Sequence, residues 1–202
     1  QAKLFTLSMA ANLPNYPEWN PSMYVGEKSK DNMRKLQLFV NKFEERFKTI
    51  SMYWVGTNST QKTTSAHWAA CQLLLKGWKV QYVTMQHLIK DLLENESFSN
   101  TSEKVQKYYQ ADFLIIDESF DPTKVTVFKS QYQIPFLDSF LRERMEIRRR
   151  STLFISNVTT EQIDSFSTSL RALVERCTAG SIFTFEDRYM KDVSVINNLW
   201  EG

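Results

Sequence analysis

The sequence predicts an α/β domain built on a mostly parallel sheet with helices on both faces. Three observations carry this. Short β-prone runs alternate with longer segments of helical period along most of the 202 residues, the order that lays strands parallel and packs helices on both sides. The run from Phe113 to Ile116 is apolar without alternation, as in a strand covered on both faces. The loop after the first strand opens with glycine and runs through Lys-Thr-Thr into a helix, which gathers backbone N–H groups at a helix N-terminus.

The elements follow in order. Residues 1–30 hold three of the five prolines, Pro14, Pro17 and Pro21, with aromatic residues between them and little periodicity. An irregular leader over a domain edge is expected there, with the α/β domain proper over 31–202. Met33, Leu36, Phe39, Val40, Phe43 and Phe47 recur at helical spacing, which predicts an amphipathic helix over Asn32–Thr49 capped by Asp31. Ile50–Val55 (ISMYWV) is a strand that stops at Gly56, and a second helical pattern covers Thr63–Lys76 with Gly77 as its C-terminal stop. Val80–Val83 is the second strand. Thr84 caps a helix over Met85–Glu96, and Thr101 or Ser102 caps another reaching Gln110. Asp112–Asp117 (DFLIID) is the third strand, and a polar loop leads to a helix over Pro135–Arg149. Thr152–Ser156 is the fourth strand, two short helices split near Phe166 and Ser167, and Ser181–Phe185 is the fifth strand.

Composition narrows the function classes. The length suits one α/β domain with a full core and is short for two. Cys71 and Cys177 lie far apart without a CxxC spacing, so they build neither a disulfide framework nor a zinc site, and His67 and His87 add nothing to a metal case. All four read as structural residues of a reducing, cytoplasmic protein. No apolar run approaches the roughly 20 residues of a membrane helix, and no signal-peptide layout is present at the first residues. A net charge of +2 does not by itself point to nucleic acid. The densest basic run, Arg148-Arg149-Arg150, reads either as a solvated helix end favoured by the helix dipole or as a local basic surface.

Four motifs carry chemistry. Gly56-Thr57-Asn58-Ser59-Thr60-Gln61-Lys62-Thr63-Thr64 follows a strand and opens a helix, matching G-x-x-x-x-G-K-[ST] except that Gln61 stands at the second glycine. In such a loop backbone N–H groups cradle phosphates, Lys62 reaches the β- and γ-phosphates and Thr63 offers its hydroxyl to Mg²⁺. A side chain at position 61 weakens or reshapes that cradle, because glycine adopts backbone conformations other residues disfavour. The third strand ends in Asp117-Glu118, where Asp117 is placed to bind Mg²⁺ and Glu118 to polarise an attacking water; an acidic turn after a strand is the plainer alternative. Asn157, at the tip of the fourth strand, is either a sensor of the γ-phosphate or a turn residue. The helix Ser169–Cys177 turns Leu170, Leu173 and Val174 inward and leaves Arg171 and Arg176 to project, as arginine fingers or as surface ion-pair partners.

Taken in order, these motifs resemble those of the bacterial and phage replicative helicase loaders, and of the related ATP-binding subunits of insertion-sequence transposases. The likeness runs from about Asp31 to Met190. Its most informative parts are VQYVTMQHLIKDLLENESFSNTSEKVQKYYQADFLIIDES, where the second strand leads into an extra helical insertion before the third, and SLRALVERCTAGSIFTFEDRY, where Arg176 stands at the finger position. The resemblance implies an AAA+ core with sheet order 5-1-4-3-2 and no substantial lid domain. It also implies ATP or ADP with Mg²⁺ as cofactors, a replicative DNA helicase and single-stranded DNA as partners, and head-to-tail self-assembly. By the same likeness, Lys90 and the segment Met85–Phe98 face DNA. Gln61 and the continuation Asp117-Glu118-Ser119-Phe120 depart from the family pattern. A transposition-associated ATPase and a non-hydrolysing adaptor with a degenerate P-loop are the alternatives to a loader. A small-molecule kinase fits less well, since no arginine-rich lid follows the fourth strand.

Overall fold

In the computed structural model, which describes residues 2–14, 27–96, 102–125 and 132–186, the strands are β1 (Met52–Gly56), β2 (Val80–Thr84), β3 (Phe113–Asp117), β4 (Ser151–Ser156) and β5 (Ile182–Phe185). They form one parallel sheet in the order β2-β3-β4-β1-β5, the predicted order read from the other edge. The register pairs Tyr53 with Phe154 and Thr84 with Asp117, so the C-terminal ends of β1, β3 and β4 finish at one edge of the domain.

Helices cover both faces. α1 (Ala2–Ala10), α2 (Glu27–Asn41) and α3 (Lys62–Leu75) pack on one side; α4 (Met85–Glu96), α5 (Glu103–Gln110), α6 (Ile134–Arg142) and α7 (Thr168–Thr178) pack on the other. Strand residues divide between the faces with period two. Leu114 and Ile116 join the α4–α6–α7 core with Leu88, Phe140 and Leu173, whereas Phe113 and Ile115 join the α2–α3 core with Phe39, Ala69 and Leu73. This double burial explains why the third strand reads as an unbroken apolar run. Among the described residues no helix is long and apolar enough to cross a membrane.

Local stops behave as their chemistry dictates. Gly77, at φ +89°, ends α3 with Trp78 N–H on Leu73 O (3.1 Å) and Gly77 N–H on Leu74 O (3.0 Å), the paired closure of a Schellman motif. Ser102 caps α5 through Val105 N–H, and Ser167 caps α7 through Leu170 N–H.

Three expectations need correction. The leader is not irregular throughout: Ala2–Ala10 is helical and Glu27–Lys30 already belongs to α2. Leu4 and Leu7 pack against the α2–α3 core, Ala11 and Leu13 are buried, and Ala11 O accepts Tyr82 N–H from edge strand β2 at 2.9 Å. Asp31 is not a cap; it lies inside α2 and pairs with Lys35 at 2.6 Å. The helices expected to reach Thr49 and Arg149 each end in a single π turn, at Phe43–Phe47 and Glu143–Ile147. Pro17, Pro21, Phe98, Thr101 and residues 187–190, which the sequence reading named, lie outside the described residues.

Among the described residues one charged side chain is wholly buried, on the α5–α6 side. Arg144 donates from Nε to Thr152 Oγ1 (3.0 Å), from one terminal nitrogen to Tyr108 O (2.6 Å) and from the other to Ser151 O (2.8 Å). Burial pushes its guanidinium below the usual arginine range. The carbonyl at Tyr108 belongs to the last turn of α5, where the dipole is negative, so a cation there compensates a helix end that has run out of internal donors.

Candidate nucleotide-binding site

The loop between β1 and α3 is held closed by its own side chains. Gly56 is required by close approach: a Cβ there would sit 2.1 Å from Phe185 O on β5. Thr60 is buried, and its hydroxyl donates to Thr57 O at 2.8 Å, which closes the loop on itself. Ser59 and Gln61 both adopt left-handed backbone, at φ +64° and +67°. Position 61 thus has the conformation that favours glycine and holds glutamine instead.

Lys62, on the first turn of α3, is buried and turned back into the loop. Its Nζ donates to Gly56 O (2.7 Å) and Thr57 O (2.8 Å), with longer contacts to Thr60 Oγ1 (3.2 Å) and Asn157 Oδ1 (3.3 Å). Burial lowers its pKa from 10.5 to about 8, and the charge of Asp117 works against that fall. Thr63 Oγ1 donates to Asp117 Oδ2 at 2.9 Å, joining the loop to the end of β3. Asp117 also accepts from Tyr82 OH (2.9 Å) and Glu118 N–H (2.7 Å). Burial raises its carboxyl, and these hydrogen bonds oppose the rise.

Asn157 is the junction of the site. Its Oδ1 faces Lys62, and its Nδ2 donates to Asn58 Oδ1 (3.0 Å) and Asp121 Oδ2 (3.1 Å). Asp121 is buried; burial alone would raise its pKa, but hydrogen bonds from Thr123 hold it below the ordinary value. Glu118 has left-handed backbone (φ +53°), and its carboxylate pairs with Lys124 at 3.3 Å.

These groups line one open cleft of about 320 Å³, bounded by Asn58–Thr64, Tyr82, Thr84, Asp117, Glu118, Lys124 and Ile155–Asn157. It lies at the C-terminal ends of β1, β3 and β4, where parallel α/β sheets hold their ligands. Gly56 and Thr57 sit directly behind it, as acceptors for Lys62. Arg176 is not among the lining residues. It is exposed on α7 and forms an ion pair with Glu146. Arg171 is held by Asp164 and by Glu175 (2.8 Å). Lys90, proposed to face DNA, is exposed on α4 and pairs with Glu94 at 3.7 Å. Sequence reasoning missed Tyr82, Asp121 and Lys124. Tyr82 reads as an ordinary strand aromatic, while the charged loop after the third strand was a usable signal for the other two.

No protein-family model matches the sequence, and no curated protein matches it. Solved structures do. A replication initiator DnaA bound to AMPPCP and single-stranded DNA superposes with a TM-score of 0.65 at 14% identity, covering 90% of this chain and 55% of that one. The DnaC helicase loader gives 0.60 at 14% identity, covering 87% and 97%, and DnaI gives 0.61 at 16% identity, covering 82% and 86%. The fold is that of the AAA+ proteins. At these identities the likeness concerns the fold. The chain spans about half the length of the DnaA structure. The AAA+ architecture explains why the loop after β1, the end of β3 and the tip of β4 meet: in the 5-1-4-3-2 order β4 lies between β1 and β3, so Asn157 reaches both loops.

Proposed function

We propose that this AAA+ domain is an ATP-binding helicase loader, which engages a replicative DNA helicase and assists its placement on single-stranded DNA. The observation that carries the nucleotide part is the convergence of Lys62, Thr63, Asp117 and Asn157 on one cleft at the strand ends. The loader part is supported by the match to the DnaC loader, which takes in nearly all of that chain, whereas the initiator match takes in about half. Bound Mg²⁺ would neutralise charge on the β- and γ-phosphates of ATP or ADP. Thr63 and Asp117, already 2.9 Å apart, are the residues to hold it.

Within this reading Lys62 exchanges its loop carbonyls for phosphate oxygens. Backbone N–H groups of Gly56–Thr64 surround the phosphates, and Asn157 reports the γ-phosphate to the Asp121 loop. Glu118 orients water once it leaves Lys124. Arg176 acts on the cleft of a neighbouring copy in a head-to-tail assembly. A cytoplasmic site of action goes with this role. The non-hydrolysing adaptor is favoured by two observations of its own: glutamine in the left-handed position of the loop, and Glu118 paired with Lys124.

Titration of a fluorescent ATP analogue with and without Mg²⁺, on the parent and on Lys62→Ala, tests the site. Magnesium-dependent binding lost in Lys62→Ala is expected; equal affinity in both proteins refutes the assignment. Affinity capture with a replicative helicase against a transposase as baits separates a loader from a transposition ATPase. An ATPase assay with helicase and single-stranded DNA present separates either from the adaptor.

A further inference from the structure

The two ends of the sheet carry opposite charge. The five loops that lead into the strands, 48–51, 76–79, 111–112, 148–150 and 179–181, contain Lys48, Lys76, Lys79, Arg148, Arg149 and Arg150 against a single carboxylate, Asp112. Among the described residues, the loops at the opposite end, around the cleft, contain Glu118, Asp121 and Glu186 against Lys124. A chain with a net charge of +2 has therefore gathered a cationic rim on the side away from the cleft.

The rim is contiguous. Lys48 O accepts Ser151 N–H at 3.1 Å, Arg150 pairs with Asp112, and Asp112 accepts Lys79 N–H at 3.1 Å. Asp112 is thereby spent on its neighbours. Arg148 is shared between Glu143 (2.8 Å) and the Tyr109 ring (5.0 Å), and Lys48 Nζ rests 4.6 Å from the Trp78 ring centroid. Among the described residues no carboxylate pairs with Lys48, Lys79 or Arg149. Three strand-to-strand steps separate β1 from β2, so the row extends about 14 Å. A groove of about 470 Å³ opens beside it, floored by Leu7, Leu74 and Trp78 and flanked by Lys79, Lys107 and Gln110.

Arg149 adds an independent observation. It is exposed, has left-handed backbone at φ +50°, and follows the π turn where Arg150 N–H returns to Arg144 O at 3.0 Å. Glycine suits this closing position better than any residue with a Cβ. The chain keeps a cation where the backbone alone would favour none.

We infer that this strand-entrance rim binds the phosphate backbone of single-stranded nucleic acid. A row in which Lys48, Arg149 and Lys79 pair with no carboxylate matches a linear polyanion, and an adjoining groove lined in part by Trp78 gives an unstacked base a place to lie. A folded protein partner would instead centre on the groove, with the cations at its margin. The inference goes beyond the loader reading, whose expected DNA contact is α4 on another face, and it does not require the cleft to bind nucleotide.

Fluorescence anisotropy of labelled oligothymidylate across a salt series tests it. The parent should bind, with an affinity that falls as salt rises. The combined substitution Lys79→Glu and Arg149→Glu should weaken binding and lower the log–log salt slope by about 1.4, from about 0.7 per single-strand phosphate contact. Lys30→Glu, exposed on the first turns of α2 and away from the rim, should leave binding unchanged. Arg149→Gly keeps the test independent of folding: it should weaken binding while raising the melting temperature by about 2–4 °C, through relief of the left-handed backbone. Lys62→Ala should still bind oligothymidylate, so failure of the nucleotide site and failure of the rim give different results. The inference is overturned if the parent shows no salt-dependent binding, if the double substitution binds like the parent, or if Lys30→Glu weakens binding as much as the double substitution does. Competition by polyglutamate as strong as by oligothymidylate would assign the rim to an acidic protein instead, and a duplex that competes equally well would remove the single-strand assignment.

Discussion

Gln61→Gly isolates the physical cost of the departure from the P-loop pattern. Gln61 holds φ +67° and ψ 16° at the N-terminus of α3, a conformation that costs a residue with a Cβ roughly 1–2 kcal/mol. Glycine removes that cost but returns about 0.4–1 kcal/mol through the greater freedom of the unfolded chain. The net gain is about 1 kcal/mol, or about 2–4 °C in melting temperature for a domain of this size. The informative comparison is with Gln61→Ala, which also loses the glutamine side-chain contacts but keeps the Cβ. Gln61→Gly should melt above Gln61→Ala, measured by circular dichroism without nucleotide. Since the strain is present with the cleft free or filled, its relief alone leaves affinity unchanged. Tighter binding of a fluorescent ATP analogue by Gln61→Gly, and not by Gln61→Ala, therefore reports closer approach of backbone N–H groups to phosphate. If Gln61→Gly melts no higher than Gln61→Ala, the left-handed assignment at position 61 is wrong.

Four further outcomes are expected. Lys62 has a folded-state pKa of about 8 against an ordinary 10.5, so its charged form is disfavoured by folding; stability should rise between those pH values, while nucleotide affinity, which needs the cation, should fall as pH passes 8, and a Lys62→Ala protein with the same pH profile would refute this. Glu118→Gln should bind nucleotide within about twofold of the parent yet hydrolyse it at least about 100-fold more slowly, with equal ATPase rates removing Glu118 from the reaction. Arg176→Ala should melt like the parent, because its pair with Glu146 is exposed, but lose roughly 10³-fold or more of any helicase- or DNA-stimulated ATPase; mixing it with Lys62→Ala should restore part, and no restoration would count against a finger acting between copies. Arg144→Ala strips the partner from two buried carbonyls and Thr152, and urea denaturation should show a loss of about 3–5 kcal/mol; a loss under 1 kcal/mol would mean that water replaces the guanidinium.

Local signals in the sequence determined most of the framework. Strand and helix order, the stop at Gly77, the caps at Thr84 and Ser102, and the P-loop all depend on neighbours within a few residues, where spacing and side-chain type decide the backbone. The left-handed conformation at position 61 was foreshadowed by the glycine that the pattern wants there. What required the tertiary structure depends on residues distant in the chain. The leader becomes helical at Ala2–Ala10 because the α2–α3 core and the edge of β2 supply partners a nine-residue segment lacks alone. Arg176 reads equally as a finger or as an ion-pair partner until Glu146, 30 residues away, meets it. Arg144 belongs to the run of charges before the fourth strand, yet it is buried while Arg149 is exposed five residues later. Composition cannot separate those two arginines: only the packing of α5 against α6 decides which one finds carbonyl oxygens and which one meets water.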